Sequence, residues 1–215
     1  ARDSFWAEPA NRRGRPRPLV AASVGPYGAF LADGSEYRGD YGLAAPELVA
    51  FHRARLAALA AAGPDLLACE TIPCLEEALA LAELLAEFPQ LPAWVSFTAR
   101  DEAHTAQGEP LDACAARLDA YPQIVAVGVN CTRPGLIPGI VRRMAAATRK
   151  PIVVYPNSGE RYDAATGGWD GAAACAAFGE QARDWFAAGA RLLGGCCRTG
   201  PAEIAAIAAW ARAQA

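Results

Sequence analysis

Six short apolar segments alternate with longer alanine-rich segments along this chain of 215 residues. The apolar segments are mostly uninterrupted by polar residues, which is typical of parallel strands that are covered on both faces. The alternation predicts one α/β domain, over residues 1–215, built from repeated strand–helix units. The predicted strands are Leu19–Val24, Leu66–Glu70, Trp94–Thr98, Ile124–Asn130, Ile152–Tyr155 and Arg191–Gly195. The predicted helices are Pro46–Ala62, Leu75–Phe88, Leu111–Ala120, Leu136–Thr148, Ala172–Ala188 and Pro201–Ala213.

Polar and glycine-rich residues cluster directly after the predicted strands. In a (β/α)8 barrel the loops that follow the strands open onto one face, and that face carries the active site. A doubly wound open sheet also binds ligands at strand ends, but usually at a single switch point. Every predicted strand end in this chain carries such residues, so the pattern favours the barrel.

The chain falls short of a complete barrel, which needs eight strands. The residues before Asn11 resemble the end of a helix, and the first residue is not methionine. We therefore expect a TIM-like (β/α)8 barrel whose first two β-α units are missing from this chain. Open sheet edges expose unpaired backbone groups, so we expect residues 1–215 alone to be poorly soluble or inactive.

Composition argues against several classes of protein. The net charge is −3, and the one basic run, near the N-terminus, is broken by glycine and proline, so nothing indicates a nucleic-acid partner. No apolar run approaches the length of a membrane span, and the N-terminus lacks a signal-peptide layout. Seven cysteines scattered through an α/β pattern indicate reduced thiols in a cytoplasmic protein. The oligomeric state stays open.

Three cysteines follow predicted strands. Cys131 comes after Gly128-Val129-Asn130, and Cys196 and Cys197 come after Gly194-Gly195. Three converging thiolates would form a zinc site with one open coordination position, as a catalytic zinc requires. The alternative is that these cysteines are small buried apolar residues. We assign that second interpretation to the remaining cysteines, which are Cys69, Cys74, Cys114 and Cys175.

Five motifs, in order over essentially the whole chain, resemble the homocysteine S-methyltransferase family. They are Val24-Gly25-Pro26-Tyr27-Gly28, Glu70-Thr71-Ile72-Pro73, Gly128-Val129-Asn130-Cys131, Tyr155-Pro156-Asn157-Ser158-Gly159-Glu160 and Gly194-Gly195-Cys196-Cys197-Arg198-Thr199. The segment from Gly25 to Asp40 is similar to the branch that uses S-methylmethionine. The family pattern begins with a strand bearing an Asp-Gly-Ala/Gly-Met motif, whose acid helps to hold the substrate amino group. That strand and the next are not found in this sequence, as expected if two units are missing.

The resemblance implies a single homocysteine-binding barrel domain with Zn²⁺ bound by Cys131, Cys196 and Cys197. It also implies methyl transfer from a sulfonium donor to the thiolate of homocysteine, giving methionine. The donor is S-methylmethionine or S-adenosylmethionine. The sequence has no glycine-rich fingerprint of a Rossmann methyltransferase, so an adenosyl donor would bind differently.

Several polar residues have two interpretations. Glu70 either caps the next helix or pairs with an arginine, but by resemblance it binds the homocysteine α-ammonium group. Asn157 is typical of a local turn, and by resemblance it is a weak oxygen ligand of the metal that leaves when substrate arrives. Asn130 either orients substrate or braces its loop.

Aromatic and histidine residues are weaker candidates. Tyr27 and Tyr37 either line a pocket for the sulfonium cation, because aromatic faces attract such charges, or pack within their loop. His52 is expected to be solvated or packed, and His104 lies in a loop at the active-site face. Neither histidine is needed in the three-cysteine ligand set that the resemblance implies.

Two other functions remain open at this stage. One is a truncated barrel that binds zinc or thiols without catalysis. The other is a dithiol redox protein that uses Cys196 and Cys197, although adjacent cysteines form a strained disulfide and the chain has no Cys-x-x-Cys motif.

Overall fold

The computed structural model describes residues 1–163, 166–171 and 178–214. Its strands are β1 (Ala21–Val24), β2 (Leu66–Ile72), β3 (Ala93–Phe97), β4 (Ile124–Asn130), β5 (Ile152–Tyr155), β6 (Arg161–Asp163), β7 (Gly168–Asp170) and β8 (Ala190–Leu193). Its helices are α1 (Arg2–Ala7), α2 (Tyr27–Leu31), α3 (Ala45–Ala61), α4 (Leu75–Leu85), α5 (Leu111–Leu118), α6 (Ile137–Ala147), α7 (Phe178–Ala188) and α8 (Pro201–Arg212).

Six strands form one parallel sheet in the order β1-β2-β3-β4-β5-β8. The predicted parallel α/β architecture is confirmed, and the sheet corresponds to part of a TIM-like barrel. Within the described residues, no ladder joins β1 to β8, so this part of the chain does not close the sheet. Because the strands are parallel, their carboxyl ends share one edge of the sheet, where the site lies.

The core lies between the sheet and its helices. Central strand residues such as Leu67, Val95 and Val127 are fully buried, as are Leu81 on α4 and Ile140 on α6. Burial on this scale is the main source of stability in such a fold. It holds the strand ends in fixed register, which is what positions the side chains that follow them.

The opposite face of the sheet carries polar side chains. Ser23 donates to Glu70 across β1 and β2, with an Oγ–Oε1 distance of 2.5 Å. Ser96 and Tyr155 share a hydrogen bond of 2.5 Å between their hydroxyl oxygens across β3 and β5. In a closed (β/α)8 barrel this face of the sheet is the interior.

A two-stranded antiparallel hairpin, β6–β7, follows β5 and lies outside the main sheet. This hairpin was not predicted from the sequence, because β6 and β7 are only three residues long and lack an apolar alternation. The predicted helix over Ala172–Ala188 is described from Phe178 onward, and residues 172–177, with Cys175, lie outside the described residues.

The segment of residues 25–41, the β1 loop, is held by a buried acid on α4. Glu77 is fully buried, and its Oε1 accepts hydrogen bonds from the Tyr27 N–H at 2.6 Å and from His52 Nε2 at 2.8 Å. Tyr41 donates to the other oxygen of Glu77 at 3.1 Å. His52 is therefore a packed residue, in line with the expectation from sequence.

Among the described helices, none has the length and apolarity needed to cross a membrane.

Candidate metal centre

Cys131, Cys196 and Cys197 come together at the carboxyl ends of β4 and β8. Their Sγ atoms all lie within 4.8 Å of one another. The Cys131 and Cys197 Sγ atoms are 3.4 Å apart, and those of Cys196 and Cys197 are 4.0 Å apart. Three thiols in one cluster fit a zinc ion that keeps one coordination position open. The cysteine cluster can therefore bind a metal.

The backbone of residues 155–158, at the end of β5 and directly after it, joins the two loops that carry the clustered cysteines. The Cys131 N–H donates to the Tyr155 carbonyl at 3.2 Å, and the Cys196 N–H donates to the Pro156 carbonyl at 2.9 Å. The Ser158 N–H donates to the carbonyl of Cys197 at 3.1 Å. The spacing of the thiols is thus set by main-chain hydrogen bonds.

Unusual backbone conformations cluster at this edge of the sheet. Thr71, Cys131 and Arg198 have φ angles of 61°, 48° and 64°, in the left-handed region that few non-glycine residues adopt. Such conformations persist where the surrounding structure imposes them, most often at functional sites. The turn at Cys131 directs the chain away from β4 immediately after the ligand.

Glycines allow the strands and loops to approach closely. A Cβ atom on Gly128 would overlap the carbonyl oxygen of Val153 on the neighbouring strand β5. A Cβ atom on Gly195 would overlap the hydroxyl of Thr199, which itself donates to the Cys196 carbonyl at 2.7 Å. Gly195 therefore leaves room for the Thr199 side chain directly beside the Cys196-Cys197 pair.

The three thiols affect one another's protonation. Hydrogen bonds from the thiols of Cys131 and Cys197 lower the pKa of Cys196 well below its usual range, and Asn130 adds a further bond. The same contacts, with burial, raise the pKa of Cys131. The three thiols therefore differ in how readily they lose a proton, with Cys196 the most acidic. Cys69, Cys74 and Cys114 are buried elsewhere, and burial raises the pKa of each to about 12, as expected for packed apolar thiols.

Asn130 connects the cluster to the centre of the sheet. Its side-chain oxygen accepts hydrogen bonds from the Thr71 N–H at 2.7 Å and from the Ser96 hydroxyl at 2.8 Å. Its amide nitrogen donates to the Thr71 hydroxyl at 2.8 Å and to Cys196 Sγ at 3.7 Å. Asn130 thus braces three strand ends and contacts a candidate ligand.

Asn157 lies in the loop after β5 and is buried. Its amide nitrogen donates to the Cys131 carbonyl at 3.5 Å, and its side-chain oxygen accepts from the Gly159 N–H at 3.0 Å. The residue therefore makes the local turn bond that its type predicts while lying beside Cys131, a candidate ligand.

Glu70 lies on the polar face of the sheet and is half-buried. It accepts from Ser23, and together with burial it raises the pKa of the neighbouring Tyr155. Tyr155 Oη also accepts from Trp94 Nε1 at 2.8 Å. Within the described part of the chain, no arginine pairs with Glu70, and the residue lies within β2 rather than at a helix start.

A cavity of about 470 Å³ opens beside Cys131. Tyr37 Oη, which lies in the β1 loop, is 3.5 Å from Cys131 Sγ. The rings of Tyr37 and Tyr162 are 5.9 Å apart, and those of Tyr162 and Trp169 are 5.2 Å apart. The cavity is lined by Gly34, Tyr37, Arg38, Thr98, Ala99, Arg100, Cys131, Thr132, Arg133, Asn157, Glu160, Tyr162 and Trp169.

Sequence reasoning identified Tyr37 but missed Tyr162 and Trp169, because the hairpin that carries them was not predicted. Two aromatic residues within a short glycine-containing segment were the available signal. Tyr27 does not line this cavity, and its ring packs instead on Phe51 at 4.9 Å. His104 pairs with Asp101 at 2.9 Å and is also absent from the cavity lining.

The sequence of this chain matches a family model and individual proteins that carry the same description. The sequence model described as homocysteine S-methyltransferase matches residues 1–211. The chain is 56% identical over 212 residues to the homocysteine S-methyltransferase YbgG of Bacillus subtilis, covering 99% of this chain and 67% of that protein. It is 53% identical over 192 residues to the homocysteine S-methyltransferase of Escherichia coli, covering 89% of this chain and 62% of that protein.

A solved structure agrees with these relatives. The metallated form of the homocysteine methyltransferase MmuM from Escherichia coli superposes with a TM-score of 0.84 at 47% identity. The match covers 97% of this chain and 67% of that chain. The present chain thus spans about two thirds of the length of the relatives that it matches.

Proposed function

Because the chain belongs to the homocysteine S-methyltransferase family, we propose that it transfers a methyl group from a sulfonium donor to the sulfur of homocysteine, giving methionine. The observation that carries this proposal is the cluster of three thiols at the carboxyl ends of β4 and β8. Residues 1–215 form the homocysteine-binding part of the barrel in this proposal. The site needs reduced thiols, which supports a cytoplasmic location.

Zinc is the metal that we propose for the cluster, with Cys131, Cys196 and Cys197 as its ligands. Three thiolates form a soft donor set, which favours zinc over magnesium or calcium. When bound there, zinc supplies a Lewis acid that lowers the pKa of a substrate thiol toward neutrality. Asn130 keeps Cys196 in place through its amide. The Asn157 oxygen accepts from the Gly159 N–H, so Asn157 would have to give up that hydrogen bond to act as a weak oxygen ligand.

Glu70 orients homocysteine in this proposal. Its carboxylate lies on the polar face of the sheet, where it is positioned by Ser23 and Tyr155 to accept from an α-ammonium group. A hydrogen-bonded path runs from Tyr155 through Ser96 and Asn130 to Cys196. The substrate amino group and the thiol cluster are therefore positioned by one connected set of side chains, which favours a productive orientation.

The transfer is a single displacement. The homocysteine thiol loses its proton to solvent, and its sulfur attacks the methyl carbon of the donor in line. A new carbon–sulfur bond forms as the bond from that methyl to the donor sulfur breaks, and the electron pair stays on the donor sulfur. With S-methylmethionine as donor, both products are methionine, and no methylated enzyme forms.

Because residues 1–215 alone are expected to be poorly soluble or inactive, the test uses zinc-loaded protein in which two further β-α units precede them. It is assayed with homocysteine and with S-methylmethionine labelled in its methyl groups. Mass spectrometry should detect two molecules of methionine with one labelled methyl group for each donor consumed, one of them made from homocysteine, and a parallel assay uses S-adenosylmethionine. The Cys131→Ser variant should lose both zinc and transfer, whereas the Cys114→Ser control, in the buried core, should keep both. One bound zinc without methylation from either donor would overturn the proposal and favour a zinc-binding barrel without catalysis. Thiol–disulfide exchange without zinc would favour the redox alternative.

A further inference from the structure

We propose that the aromatic wall formed by Tyr37, Tyr162 and Trp169 binds the sulfonium group of the methyl donor, and that Arg133 binds the donor carboxylate. This inference rests on the proposed function and adds a site for its second substrate. The ligand class is an α-amino acid that bears a sulfonium group.

The aromatic wall begins at the thiol cluster and extends outward. Tyr37 Oη is 3.5 Å from Cys131 Sγ, and Tyr162 and Trp169 follow at centroid distances of 5.9 Å and 5.2 Å from one ring to the next. The planes of neighbouring rings are tilted by 46° and 51°, so the three rings form a curved surface. Tyr162 and Trp169 are only half-buried, which leaves ring surface accessible from the cavity.

A sulfonium group suits this surface because of its chemistry. It carries a permanent positive charge and has no N–H or O–H group with which to donate a conventional hydrogen bond. Aromatic faces attract such cations by about 0.5–2 kcal/mol, depending on desolvation. The nearby Glu160 carboxylate is already engaged by Arg198 at 3.0 Å and by the Ser158 hydroxyl at 2.7 Å.

The guanidinium groups in the cavity indicate a ligand that also carries a carboxylate. Arg38 pairs with Asp40, and Arg100 pairs with Asp101, each at 3.4 Å. Arg133 is exposed, and no carboxylate among the described residues lies within ion-pair distance of it. A guanidinium group binds a carboxylate through two parallel hydrogen bonds. Arg133 is therefore the group we assign to the donor carboxylate.

The cavity and the proposed homocysteine site at Glu70 are different surfaces of the protein. Glu70, which we propose for homocysteine, does not line this cavity, whereas Cys131 does. Both substrates are amino acids, and a bimolecular transfer needs them bound at once on different surfaces. The cavity gives the donor a surface of its own that reaches the thiol cluster.

The test is calorimetric binding to the zinc-loaded protein with three probes. S-methylmethionine carries both groups, trimethylsulfonium carries only the cation, and methionine carries the carboxylate with a neutral thioether. The Trp169→Leu variant should bind S-methylmethionine and trimethylsulfonium about tenfold more weakly, and its affinity for methionine should be unchanged. Trp169→Phe should retain most of the binding, because it keeps an aromatic face. Arg133→Gln should lower the affinity for S-methylmethionine and for methionine but leave the affinity for trimethylsulfonium unchanged.

The matched control is Phe30→Leu, which removes an exposed aromatic ring outside the cavity and should leave all three affinities unchanged. Zinc content and the homocysteine KM should not change in any of these variants. The inference would be overturned if Trp169→Leu bound the donor as tightly as the parent protein, or if it lost affinity for methionine equally. Success in the methyl-transfer assay would then show that the proposed function still stands. Cation-selective binding without transfer from any donor would instead overturn the proposed function.

Discussion

Replacing Glu77 with alanine tests whether a buried carboxylate fixes the β1 loop. The oxygens of Glu77 accept from His52, Tyr41 and the Tyr27 N–H, and the side chain is fully buried. Alanine leaves three donors without their acceptor, one on the fully buried His52 and two on the partly buried Tyr27 and Tyr41, and a buried donor costs about 1–3 kcal/mol when unpaired. Water that enters the vacated space satisfies part of this bonding, so we expect a loss of about 4 kcal/mol in unfolding free energy.

The measurement is thermal unfolding followed by circular dichroism. In a protein of this size about 1 kcal/mol shifts Tm by about 2–4 °C, so Glu77→Ala should lower Tm by about 8–16 °C. Glu77→Gln keeps an oxygen acceptor and should recover at least half of the loss. The matched control is Glu83→Ala, an exposed position on the same helix, which should change Tm by no more than about 2 °C.

The β1 loop also places Tyr37 next to Cys131, so a second measurement can be made on the Glu77→Ala variant. Glu77→Ala should raise the donor KM while leaving the zinc content unchanged, because the proposed ligands follow β4 and β8 rather than lying on the β1 loop. A Tm equal to that of Glu83→Ala would refute the stability argument. A normal donor KM in a destabilised variant would show that the loop position does not depend on Glu77.

Three further predictions concern the metal centre and its neighbours. Cys131→Ser should abolish stoichiometric zinc binding while Cys69→Ser retains it, as measured by atomic absorption; the reverse pattern would contradict the ligand assignment. Glu70→Gln should raise the homocysteine KM roughly 30-fold, equivalent to about 2 kcal/mol, with little effect on the donor KM; equal effects on both substrates would argue against its assigned role. Gly128→Ala should lower Tm by several degrees and weaken zinc binding, because the added methyl group overlaps a β5 carbonyl oxygen. Gly135→Ala, where the methyl group meets open space, is its control, and equal behaviour of the two variants would contradict the packing argument.

The sheet was predictable because its strands are uninterrupted apolar runs. The bounds of β4 and β5 agree with the prediction, since each run ends at a polar or loop-forming residue. Strand β2 continues two residues beyond its predicted end at Glu70 because Thr71 and Ile72 extend it past an irregularity in the β2–β3 register. Such an irregularity depends on the neighbouring strand and leaves no mark in the local sequence.

The thiol cluster was predictable for a different reason. Parallel topology places all strand ends on one edge, so Cys131 and the Cys196-Cys197 pair were expected on the same edge of the sheet. Their meeting across β5 depends on hydrogen bonds to residues 155–158. The aromatic wall could not be predicted in the same way. It requires a hairpin whose strands have no apolar period and a loop that reaches the cluster from β1, and both depend on tertiary contacts.

The short segment between β5 and β6 has a consequence for how the protein acquires its metal. Because residues 155–158 hydrogen-bond to the backbone of all three cysteines, folding alone brings the thiols together. Small zinc domains behave differently, since metal binding there drives the folding of the chain. We therefore expect the sheet to stay intact when the proposed metal leaves and returns. A shortage of zinc would then lower the activity of the protein without lowering the amount of folded chain.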